Sequence, residues 1–269
     1  HEDGIYSGRI APPELGNLYV DAVAGNDETG DGTKAKPYQT IKKAIDVAHG
    51  YTRWIHIKEG QDHLIQDELK FFNDFISIQP YGPGFDAIPD NPADLKSVLP
   101  QAYRLNTKIS FKPRSVWGNY LNSALLGGDK SFRNIFRIYG CLIRKHPHQH
   151  KGESGKVLSS YQCIDSYDAN INIELRNCGI EFVNNPEGAL LTGRGDYRDS
   201  QTVNLSDINE ISGEGRIFER TDFANITASL YGGKWEDPAI MRKYMPNVSR
   251  MSDTILGINL NVTDMHVFN

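Results

Sequence analysis

The chain has 269 residues, 39% of them hydrophobic, and 29 Lys+Arg against 34 Asp+Glu give a net charge of −5. That length suits one large domain or two small ones, and repetitive β folds often run this long as one. The acidic balance argues against nucleic-acid binding, which wants a basic face, and no apolar run approaches the roughly 18 residues of a membrane-spanning helix. Three cysteines, Cys141, Cys163 and Cys178, are odd in number and irregular in spacing. They read as small buried side chains rather than a disulfide framework.

Residues 1–17 are polar and carry Gly4, Gly8, Pro12, Pro13 and Gly16. They read as an extended leader or a joint to something upstream, and the His1-Glu2 opening as that of a fragment or processed product. Residues 18–48 are the most patterned part of the chain. Leu18, Tyr19 and Val20 are strand formers. A loop with Gly25-Asn26-Asp27 and Gly30-Asp31-Gly32 follows, rich in residues that turn the backbone. Thr40 is placed to cap a helix on which Ile41, Ala44, Ile45 and Ala48 form one apolar stripe.

Tyr19, Val20, Asp21, Gly25, Asp27, Gly32, Thr33, Lys36, Pro37, Thr40, Ile41 and Ala44 make this run resemble the entry segment of right-handed parallel β-helix proteins of the pectate-lyase-like class. The segment is common in bacteriophage tail fibres and tailspikes and in secreted polysaccharide-active proteins. The resemblance implies a coil whose N-terminal mouth is plugged by the short helix. Asp21, Asp27 and Asp31 are then turn residues, not catalytic ones.

Strand-type alternation recurs along the rest of the chain, centred near Ile57, Ile78, Ile109, Ile138, Ile173, Leu205, Ala228 and Leu260. The loose period fits a coil whose rungs carry variable loops; a β-sandwich with long connections fits less well, because hairpin signals are few. Residues 83–100 and 184–200 read as polar loops, and 232–252, with Met241, Met245 and Met251, as a short helix or packed loop.

Residues 170–177 form the cleanest alternation, which puts Asn172, Glu174 and Arg176 on one face. Asn204 with Ser206, and Asn259 with Asn261 and Thr263, repeat it. Planar polar groups beside aromatic rings suit sugar hydroxyls and pyranose faces; the plainer alternative is a solvated outer face. The glycan-binding candidates are Asn172, Glu174 and Arg176, then Arg194, Asp196, Tyr197 and Arg198 in the 184–200 loop, with Trp117, Tyr120 and Trp235.

Glycoside hydrolysis needs two carboxyl groups roughly 5–10 Å apart. Asp165, Asp168, Glu174, Glu181, Asp196, Asp199 and Asp207 supply many pairs and the sequence selects none. No catalytic residue, metal or cofactor is assigned. His146-Pro147-His148-Gln149-His150 reads as a polar loop; its alternative is a six-imidazole cage about a threefold axis.

The expected fold is mainly β: a right-handed parallel β-helix-like coil with an N-terminal capping helix, forming an intertwined homotrimer. Its expected parts are a leader (1–17), the β-helix-like domain (18–231) and a C-terminal extension or tip (232–269). The expected function is that of a phage receptor-binding domain, located on the virion, that attaches to bacterial surface polysaccharide of the O-antigen type. The close after Val267-Phe268-Asn269 resembles siphophage L-shaped tail fibres matured by removal of a C-terminal chaperone. The alternatives are a tailspike depolymerase, glycosidase or lyase, and a passive spacer.

Overall fold

The computed structural model describes residues 16–48, 54–66, 69, 75–88, 105–112, 124–126, 134–147, 149–151, 157–159, 164–167, 171–184, 189–194, 200–208, 210–220, 225–234, 237–245 and 258–262. The protein is mainly β and its large sheets are parallel. The first sheet has eight strands: β1 (Asn17–Val20), β2 (Trp54–Lys58), β4 (Phe75–Tyr81), β7 (Asn134–Tyr139), β12 (Ile171–Arg176), β15 (Ser200–Ile208), β18 (Asn225–Gly233) and β19 (Ile258–Val262). A second sheet has five: β3 (Asp62–Ile65), β5 (Lys108–Phe111), β8 (Leu142–Lys145), β13 (Gly179–Phe182) and β16 (Glu210–Ser212). A third has four: β6 (Ala124–Leu126), β11 (Ile164–Tyr167), β14 (Ala189–Arg194) and β17 (Arg216–Arg220).

The chain visits the sheets in rotation. From β11 onward it passes third, first, second, third, first, second, third, first. From β11 to β17 each strand therefore pairs with the equivalent strand one circuit away and not with its chain neighbour, and the ladders of the three large sheets are parallel. The register stacks like on like: Leu18, Ile55, Ile78, Ile138, Leu175, Leu205, Leu230 and Val262 form one row across the first sheet. Ile55, Ile78, Ile138, Leu175 and Leu205 have no exposed surface. Full burial of one such side chain is worth about 1.5–3 kcal/mol. From Leu18 to Leu230 this row, with Ile143 and Ile180 from the second sheet and Ile164 and Leu191 from the third, belongs to one core.

The corner between first and second sheets has a local cause. Gly140, Asn177 and Asp207 have φ of 69°, 50° and 54°. They follow Tyr139, Arg176 and Ser206, which lie side by side in the ladder. Gly140 N donates to Arg176 O and Asn177 N to Ser206 O. A left-handed residue thus turns three successive circuits at one place, and Gly, Asn and Asp tolerate that conformation best. Cys141 and Cys178 follow the turn and are fully buried; burial pushes the Cys141 thiol pKa well up. Cys178 therefore sits in the corner. Cys163 lies outside the described residues.

Helix α1 (Ile41–Val47) packs Ile41, Ala44 and Ile45 into the core. Thr40, extended, caps it by accepting from Lys43 N. Two further helices are α2 (Pro83–Asp86) and α3 (Pro238–Tyr244), the latter within the stretch read as a short helix. Among the described residues no helix is long and apolar enough to cross a membrane.

Three expectations are corrected. The strand at Ile109 is β5 of the second sheet, whereas the other seven predicted centres lie in the first. The 184–200 loop contains strand β14, with Ala189, Leu190 and Leu191 fully buried. Gln149–Lys151, read as loop, is strand β9, paired antiparallel with β10 (Val157–Ser159).

Candidate functional site

Because the ladders are parallel and in register, side chains of one parity line up across the strands. One row on the first sheet reads Asn17, Trp54, Ser77, Arg137, Glu174, Asn204, Ser229 and Asn261. Beside it Asn172 aligns with Thr202, Thr227 and Asn259, and Arg176 with Tyr139, Ser206 and Tyr231. The face opposite the aliphatic core is mixed: polar at Arg137, Glu174 and Asn204, but Asn172 also aligns with Ile135, and Tyr139 is buried with Phe85 and Ile88.

Its centre is a connected network. Arg137 Nε and NH2 both lie 2.6 Å from Glu174 Oε2. Asn172 Nδ2 donates to Glu174 Oε1 at 2.9 Å, and Asn204 Nδ2 donates to Asn172 Oδ1 at 3.0 Å. Arg137 and Glu174 side chains are 20% and 19% exposed, and Asn172 is 4% exposed. Asn172 thus holds Glu174 and Asn204 in place, while Glu174, Arg137 and Asn204 keep solvent-facing atoms. The charge-assisted bonds fix the planes of these groups before any ligand arrives.

An aromatic group stands at the β1 end of the same face. The Tyr19 and His56 rings stack at 4.8 Å and 16°, and Tyr81 meets Tyr19 edge-on at 5.1 Å. Trp54 lies 6.5 Å from His56, and Lys58 lies over the Tyr81 ring at 5.0 Å. Burial drives the His56 pKa down to about 4 and the Tyr81 pKa up to about 12. Neutral His56 accepts from Gln79 Nε2 at Nδ1 and donates from Nε2 to Asn17 Oδ1 at 3.2 Å. The aromatic candidates named from sequence were other residues. The signal for this group was strand parity: Tyr19 alternates with Leu18 and Val20, and Trp54 and His56 alternate with Ile55 and Ile57.

The second sheet carries its own charged set. Arg144 Nε donates to Glu181 Oε2 at 2.7 Å and NH1 to Asp62 Oδ2 at 3.1 Å, while Ser110 Oγ donates to Asp62 Oδ1 at 2.6 Å. Beside it His146 Nε2 is buried without a partner among the described residues; burial, then Arg144 and Lys112, lower its pKa. A cavity of about 500 Å³ opens between α1 and β3, lined by Gln39, Lys42, Asp46, Asp62, Leu64 and Gln66 among others.

Of the predicted site residues, the structure brings Asn172 and Glu174 into one network. Arg176 stands in the adjacent row with a buried Nε that has no partner among the described residues. Arg194 ends β14, away from the first sheet. Trp117, Tyr120, Asp196, Tyr197, Arg198 and Trp235 lie outside the described residues. Arg137, the direct partner of Glu174, was missed, since 37 residues separate them in sequence. Of the candidate carboxylates, Glu174 is engaged by Arg137 and Glu181 by Arg144; Asp62, which was not among them, also bonds Arg144. Asp168, Asp196 and Asp199 are outside the described residues. Of the His run, His148 is outside them and His150 lies on β9. Among the described residues no three His, Cys, Asp or Glu side chains are grouped to hold a metal. Asp27, matched to turning in the sequence, accepts from Gln39 N, Thr40 N and Thr40 Oγ1 at 2.7, 3.0 and 2.7 Å. No family model, curated protein or solved structure matches the chain.

Proposed function

We propose that the chain is a right-handed parallel β-helix-like coil, trimeric in its assembly, that serves as a receptor-binding domain of a phage tail fibre or tailspike. Its ligand in this reading is bacterial surface polysaccharide of the O-antigen type. The observation that carries the reading is the row Arg137, Glu174, Asn204 on the successive strands β7, β12 and β15. Successive strands are spaced ~4.8 Å apart, so an extended polymer lying across the strands meets a new polar side chain at each one. Guanidinium, carboxylate and carboxamide groups offer paired donors and acceptors to neighbouring hydroxyls. The partly exposed Tyr19 and Trp54 rings add apolar faces at one end. The passage through three sheets and the entry-segment resemblance support the architecture; the attachment to a fibre shaft and the virion location rest on that resemblance alone.

Binding without cleavage fits Glu174 and Asp62. Both Glu174 oxygens are engaged, by Arg137 and Asn172, and both Asp62 oxygens by Ser110 and Arg144. A general acid or nucleophile needs an oxygen free for the scissile bond. The test is incubation with purified O-antigen and capsular polysaccharides, followed by sizing of the polymer and measurement of its retention by the protein. Retention of at least one polymer at unchanged length supports the reading. Shortened polymer supports the depolymerase alternative, and no retention of any polymer favours the spacer. Light scattering addresses assembly, where a monomer contradicts the trimer.

A further inference from the structure

We infer that the cleft between α1 and β3 is a separate site for a small, neutral, hydroxyl-rich ligand of the size of one or two sugar rings. Its volume, about 500 Å³, lies in the range of small-molecule pockets. Its charged walls are already matched internally. Lys42 Nζ holds Asp46 at 2.7 and 2.9 Å. Asp62 is bonded by Arg144 and Ser110, and Asp27 by the backbone and hydroxyl ahead of α1. Lys43 lies over the Tyr38 ring at 5.9 Å. An ionic ligand therefore meets charges that have counterparts. Two carboxamides remain: Gln39 at the helix side and Gln66 at the strand side line the cleft, and neither side chain has a hydrogen bond among the described residues. Each offers donors and an acceptor, the complement of vicinal hydroxyls. Between them Leu64, 44% exposed on the same strand parity as Asp62 and Gln66, presents an apolar surface to a C–H face.

The site is independent of the row on the first sheet, and its test uses monomeric probes so that the two stand or fall separately. The isotope-labelled protein is titrated with the methyl glycosides of glucose, galactose, rhamnose and N-acetylglucosamine, and with glucuronate and inorganic phosphate as charged probes. Saturable shifts of the 39–46 and 62–66 amides with at least one neutral glycoside are expected. Gln66→Leu and Leu64→Asp should each raise Kd about tenfold or more, with amides elsewhere unchanged, which shows that the variants fold. Charged probes should bind about tenfold more weakly or worse. No neutral probe shifting these amides, charged probes binding as well, or Kd unchanged in both variants would overturn the inference.

Discussion

At the scale of single residues, the corner between first and second sheets explains why Gly140, Asn177 and Asp207 recur where they do. Their backbone is left-handed, which costs a β-branched residue about 1–2 kcal/mol. Asn177→Ile should therefore destabilise the protein by about that amount or more, since Asn177 is also buried, while Asn177→Gly should be nearly neutral; urea unfolding of both variants checks this. His56 gives a pH signature. Its folded pKa, about 4, lies below the ordinary value of 6.5, so the unfolded chain binds more protons between these values. Stability is full above pH 6.5 and falls as pH drops toward 4. His63, lowered mainly by burial, acts in the same direction. Unfolding free energies at pH 7 and 4.5 should differ less in His56→Gln than in the parent. Equal losses would contradict burial of neutral His56.

At the scale of elements, the opening segment is built around Asp27. One carboxylate takes two backbone N–H groups and the Thr40 hydroxyl, which ties the loop to the start of α1. Asp27→Ala leaves those donors without that acceptor, at a cost of about 1–3 kcal/mol. Hydrogen exchange should then speed first at the α1 amides and not at β12. Leu175→Ala, in the middle of the aliphatic row, should cost about 2–5 kcal/mol without that local bias. This contrast also shows what the sequence discloses. Capping, turn residues and the stripe on α1 are local, so they were legible. So was the parity of β12. Which sheet a strand joins is decided by pairing across long sequence distances, and inward apolar runs look alike there. Hence the strand at Ile109 was placed in the wrong ladder. Strand β14 passed for loop because its polar flanks outweighed Ala189-Leu190-Leu191. The same limit hid the site: Asn172 and Glu174 are two residues apart and were visible together. Arg137, Asn204 and Trp54 join them only through register.

At the scale of the whole molecule, the parallel ladder converts a side-chain alternation into rows that run from strand to strand. The inward rows make the core. The outward row supplies a repeating polar track that suits a repeating polymer better than a small ligand. The cleft beside α1 differs in kind, being short and lined by charges that are matched internally. The most direct test of polysaccharide binding by the row is an array of purified bacterial surface polysaccharides probed with the parent protein, Glu174→Gln and Asn204→Ala. The account predicts that the parent binds at least one polymer and that both variants, still folded, lose about tenfold or more in affinity for it. Binding to none of the polymers, or binding untouched by both substitutions, would contradict it.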